Sequence, residues 1–68
     1  MQTLREMIEG YENRLRAAGF SVSVLTERAN IDRSTWTRWK QGKQGPTLKK
    51  IQQVEATLRR LEAEARFR

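Results

Sequence analysis

Leu25-Thr26-Glu27-Arg28-Ala29-Asn30-Ile31-Asp32-Arg33-Ser34-Thr35-Trp36-Thr37-Arg38-Trp39-Lys40-Gln41-Gly42 is the stretch whose reading settles the architecture. Its second half reads as a helix, Arg33 to Gln41, opened by Asp32 and stopped by Gly42. The Asp32 carboxylate suits an N-cap, because it can accept an orphan amide and its charge favours the positive end of the helix dipole. On a wheel of about 100° per residue, Arg33, Ser34, Thr37, Arg38 and Gln41 fill an arc of about 140°, with Trp36 and Trp39 opposite. One face is two aromatics that need burial. The other holds hydrogen-bond donors and no carboxylate. Upstream, Val24, Leu25 and Ala29 offer buried positions on a short helix that begins after Ser21 or Ser23, both competent N-caps, and ends near Ala29. Asn30 suits a left-handed turn position, and Ile31 then anchors the turn in the core.

Outside this stretch the pattern stays helical. Leu4, Ile8, Tyr11, Leu15 and Ala18 recur every three or four residues, one apolar stripe on a first helix from about Thr3 to Ala18, with Gly19 as its C-terminal stop. Glu12 is spaced to pair with Arg16 one turn on. Gly42-Lys43-Gln44-Gly45-Pro46 reads as a loop. Thr47 caps a last helix carrying Leu48, Ile51, Val54, Leu58, Leu61 and Ala65, which nothing interrupts. The expectation is an all-α fold: one compact domain of four to five helices with a long C-terminal helix. At 68 residues it lies near the lower limit for an unstapled core.

Charge is concentrated in the decisive region. Between Arg28 and Lys50 lie seven cations (Arg28, Arg33, Arg38, Lys40, Lys43, Lys49, Lys50) and one anion, Asp32, which accounts for the entire net charge of +6. Elsewhere seven arginines meet seven glutamates. A chain basic in one segment is built to meet something acidic, and nucleic acid is the leading candidate.

Composition argues against several other classes. The sequence contains no cysteine and no histidine, so disulfides, thiolate metal sites, the usual general base and the commonest metal ligand are all missing. The carboxylates sit among arginines at helical spacing, as on a solvated face. No enzyme, no cofactor and no small-molecule substrate are expected. No apolar run approaches the roughly 18 residues of a membrane span, and the N-terminus carries early charge instead of a signal-peptide apolar region. A cytoplasmic, nucleoid-associated protein is expected.

The polar face of the third helix would also be the solvated side of any amphipathic helix. Two features favour a reader. It exposes cations and neutral donors without an acid, and it starts a few residues after a short helix, at the spacing of a helix-turn-helix. The run from Leu25 to Gly42, followed by Lys43, Pro46 and Leu48, resembles the helix-turn-helix of the phage Cro and lambda-repressor-like family, over roughly residues 20–58. The resemblance implies a regulator of phage or mobile-element type. In it Arg33, Ser34 and Arg38 read base edges in the major groove, with Thr37 beside them. Gln41, Lys43 and Gln44 hold the phosphate backbone, as do the amide end of the last helix at Thr47 and the cations Arg28 and Lys40; for Lys40 simple solubility is an equal reading. An arginine fork on guanine O6 and N7 contributes roughly 1–3 kcal/mol of discrimination. Val22 stands where the family often has a phosphate-binding glutamine, Thr26 replaces a small apolar residue and Asn30 a glycine. The tryptophans are assigned to the core in preference to base intercalation.

The family domain needs its last helix only to about Leu58, making residues 3–58 the expected core and 59–68 a helical extension. Such an overhang is expected to be unable to bury Leu61, Ala65 and Phe67 itself, so Leu58, Leu61, Ala65 and Phe67 are assigned to a homodimer that sets two recognition helices in successive major grooves. The leading function is a sequence-specific DNA-binding transcriptional regulator, a Cro-like repressor on a palindromic operator in double-stranded DNA. The alternative is a small helical protein-interaction module, anti-activator or antitoxin-like, acting on a protein partner. Non-specific nucleic-acid packaging is a third reading.

Overall fold

The computed structural model describes residues 2–67, and these form four helices and no strand: α1 (Leu4–Ala17), α2 (Val22–Arg28), α3 (Arg33–Gln41) and α4 (Leu48–Arg66). Thr3 opens α1 with a capping box: its hydroxyl accepts the Glu6 amide at 3.1 Å, and the Glu6 carboxylate accepts the Thr3 amide at 3.2 Å. Thr47 opens α4 by accepting the Lys50 amide at 3.2 Å. Ser21 precedes α2 and Asp32 precedes α3 with extended backbone, yet neither side chain makes the expected cap bond. For Asp32 the capping role is therefore confined to its backbone, whose carbonyl accepts the Trp36 amide at 3.1 Å.

The first three helices end the same way. Gly19, Asn30 and Gly42 take positive φ, of 85°, 59° and 76°. After each, the next amide reaches back five residues: Phe20 to the Leu15 carbonyl, Ile31 to Thr26 and Lys43 to Arg38. That closure satisfies carbonyls that a helix end would otherwise orphan. Asparagine tolerates the left-handed region well enough to serve between α2 and α3, where only Ala29 to Asp32 separate the two helices.

Ile8, Tyr11 and Leu15 from α1, Leu25 and Ala29 from α2, Ile31 from the turn, Trp36 and Trp39 from α3, and Val54, Leu58 and Leu61 from α4 form one buried cluster. Thr26 lies among them, and its hydroxyl donates to the Val22 and Ser23 carbonyls of its own helix, so the polar atom is buried without being orphaned. The α3 helix approaches α1 and α2 but not α4.

The end of α4 corrects the sequence-based expectation. Leu58 and Leu61 are both fully buried in the chain's own core, and Ala65 is half-buried, so neither leucine is available to a second copy. The last turns of α4 do not overhang. They lie along α1 and α2, fastened by the Arg14 fork on Glu62 (2.8 and 3.2 Å) and by Arg28 on Glu64 at 2.6 Å. Burying a leucine contributes roughly 1.5–3 kcal/mol. The surface pairs add at most about 1 kcal/mol each. Of the four assigned dimer residues, Phe67 alone is exposed, at 88%.

Candidate nucleic-acid interface

The wheel drawn from sequence matches the accessibility of α3 residue by residue. Trp36 and Trp39 are each 2% exposed, their rings 5.9 Å apart and tilted by 52°. Thr35 and Lys40, on the two flanks, are half-buried. Arg33, Ser34, Thr37, Arg38 and Gln41 are exposed, and so are Lys43, Gln44 and Thr47 in the loop and cap that follow. The four residues assigned to bases thus share one open face, with the assigned loop contacts continuing from its end.

Two of the four side chains assigned to bases already have partners. The Arg33 guanidinium donates through Nη1 to Ser23 Oγ at 2.6 Å, so α2 orients an arginine of α3. The Thr37 hydroxyl donates to the Arg33 carbonyl at 3.0 Å, one turn back on the same helix. Ser23 was expected only as a cap. Its bond to Arg33 joins residues ten apart across a turn, a relation that helical spacing does not encode.

The ion pairs sort the cations into two groups. Arg14 faces Glu55 and Glu62, Arg28 faces Glu64, Lys40 faces Glu12 and Arg5 faces Glu9. Among the described residues Arg33, Arg38, Lys43, Lys49 and Lys50 form no ion pair, and neither do Arg16 on α1 and Arg59, Arg60 and Arg66 on α4. Arg28 and Lys40, both assigned to phosphates, are therefore placed differently from the other assigned cations. Each already has a carboxylate partner within the chain.

No protein-family model, no curated protein and no solved structure matches this chain. Among the described residues no group of three or more acidic side chains is arranged to hold a metal ion, and no helix is long and apolar enough to cross a membrane. A shallow depression of about 590 Å³ lies on α4, walled by Arg60, Ala63, Glu64 and Phe67, with no contribution from α3.

Glu12 is the residue that sequence spacing misread. The expected pair with Arg16 is replaced by contacts to α3: Glu12 accepts from the Trp36 indole at 3.0 Å and from the Lys40 ammonium at 2.9 Å. An exposed pair one turn apart contributes only about 0.2–0.5 kcal/mol, too little to hold the carboxylate against two donors at a half-buried contact. Burial alone would raise the Glu12 carboxyl's pKa. The hydrogen bonds from Lys40 and Trp36, with the nearby Lys40 and Arg16 charges, outweigh burial and hold it below the ordinary value. Glu62 is also lowered, first by its bond from Arg14 and against a smaller opposing effect of burial.

A folded carboxyl with a depressed pKa adds stability above the unfolded value and loses it as pH falls through the folded one. The melting temperature should therefore drop as the pH is taken from about 5 to about 3, below the ordinary glutamate value of about 4.3. The E12Q variant should flatten that drop. A wild-type melting temperature constant over this range would contradict the assignment.

Proposed function

We propose that this chain is a sequence-specific DNA-binding regulator of transcription, a helix-turn-helix protein of the Cro and lambda-repressor-like kind. In this reading α2 and α3 are the motif, and α3 enters the major groove. Its partners are double-stranded DNA and, through a surface other than Leu58 and Leu61, a second copy of the chain, and its place is at the nucleoid in the cytoplasm. The protein binds and does no chemistry of its own. One observation carries the reading: the outward face of α3 is exposed and free of acid, and among the described residues Arg33 and Arg38 stand outside every ion pair while carboxylates of the chain pair with Arg14, Arg28 and Lys40. Arg33 and Arg38, about 7.5 Å apart along the axis, supply the forks for base edges. Ser34 and Thr37 flank them, and Gln41, Lys43, Gln44 and Thr47 serve the phosphates.

A role as a protein-interaction module draws support from a different place. The large apolar side chains left exposed, Leu48 and Phe67, are both on the α4 segment and not on α3. Protein-binding faces rely on such anchors.

Salt separates the two. Duplex affinity should fall with a log–log slope of roughly −0.9 per phosphate contact, giving about −3 for each copy if Lys43, Lys49 and Lys50 engage. Absence of duplex binding at low salt, or binding indifferent to salt, would defeat the proposal.

A further inference from the structure

The junction of α1 with α3 turns on a single carboxylate. Glu12 uses Oε2 for the Trp36 indole and Oε1 for the Lys40 ammonium, and its side chain is only 12% exposed. Trp36 lies on the buried side of α3 and Lys40 on its flank, one turn further along. Holding both fixes the rotation of α3 about its own axis, because a roll that carried Lys40 outward would draw the indole away from its acceptor. Lys40 also lies at the edge of the outward face: on the wheel it is about 20° from Arg33, two turns on.

We propose that Glu12 is a positioning residue that determines specificity in the nucleic-acid interface, setting the roll of α3 and withholding Lys40 from the phosphate backbone. The inference rests on the DNA-binding reading given above. A mobile ammonium beside the reading face attracts every duplex equally, and so raises competition from the wrong sequences without helping the right one. Glu12 removes that charge from contention while leaving Arg33 and Arg38 free of carboxylates. The reader keeps its forks and loses an indiscriminate anchor.

The test compares the wild type with E12Q on a random-sequence duplex across a salt series, in the full chain. The amide oxygen introduced by E12Q still accepts from Trp36, but it no longer neutralises Lys40. E12Q should bind the random duplex more tightly, with a log–log slope steeper by about 0.9. Adding K40A to E12Q should return the slope to the wild-type value. A residue that merely supports the fold would weaken binding when altered, so a gain in affinity distinguishes the two roles. Unchanged or weaker binding by a folded E12Q would overturn the inference.

If E12Q does not fold, K40A alone decides. An unchanged slope supports withholding, and a slope shallower by about 0.9 means that Lys40 already sits on a phosphate and overturns it. Either negative result with intact, salt-dependent wild-type binding removes only this inference. A wild type that binds no duplex removes the DNA-binding reading and this inference with it.

Discussion

Trp36→Ala is expected to leave little folded protein. The side chain is 2% exposed, packs against Trp39, and satisfies Glu12 through its indole N–H. Truncating a buried aromatic costs roughly 3–5 kcal/mol, because the lost transfer energy is joined by the cavity left behind. At roughly 0.05–0.15 kcal/mol per residue, a domain of this length has only about 3–10 kcal/mol to lose. The loss would be felt between α1 and α3, where the tryptophans are the only large side chains that α3 contributes to the core. Far-ultraviolet circular dichroism with thermal denaturation measures it. Trp36→Phe keeps most of the burial and loses the donor, so it should melt cooperatively at a temperature between the two. A Trp36→Ala variant that melts like the wild type would mean that the indole is not the support described.

Arg38→Ala should act on recognition and leave the fold alone. Arg38 is exposed and forms no ion pair among the described residues, so its removal empties no cavity and orphans no partner. Surface substitutions of that kind change stability by no more than about 0.5 kcal/mol. If the guanidinium grips a base edge, the variant loses roughly 1–3 kcal/mol of discrimination. With 1.4 kcal/mol for each factor of ten, that is roughly a five- to 150-fold narrowing of the gap between preferred and random duplexes. Lys43→Ala is the contrast: it should weaken all duplexes alike and make the salt slope shallower by about 0.9. Competition binding with labelled duplexes reads both. An Arg38→Ala variant that weakens every sequence equally would reduce Arg38 to a phosphate contact.

Local features of this molecule were legible in the sequence because they are set by residues a few positions apart. The stripe of Ile8, Tyr11 and Leu15 marked the inner side of α1, and the paired tryptophans marked that of α3. Gly19, Asn30 and Gly42 marked the three left-handed closures, each demanded by backbone sterics at one position. The expected open face of α3 followed from helical periodicity alone.

Relations between distant positions were not legible. Arg14 meets Glu62 across 48 positions, Arg28 meets Glu64 across 36, and Lys40 meets Glu12 across 28. No spacing rule reports such partners: helical spacing alone offers Glu12 its neighbour Arg16 and leaves Arg28 and Lys40 as available cations. Leu58 and Leu61 show the same limit in apolar form. Their three- and four-residue intervals fit an inward face and a seam between copies equally well. The number of helices already packed beneath α4 decides between them, and that is a tertiary quantity. The misplacement has a functional consequence, since a second copy cannot use the two leucines that hold α4 to its own core.

The most direct measurement is selection of bound duplexes from a random-sequence pool by the wild-type chain, run in parallel with Arg33→Ala and Arg38→Ala. The account predicts a defined consensus for the wild type, with information lost at different positions in the two variants. A pool that remains unenriched, or one consensus shared unchanged by all three proteins, would contradict the claim that the outward face of α3 reads DNA.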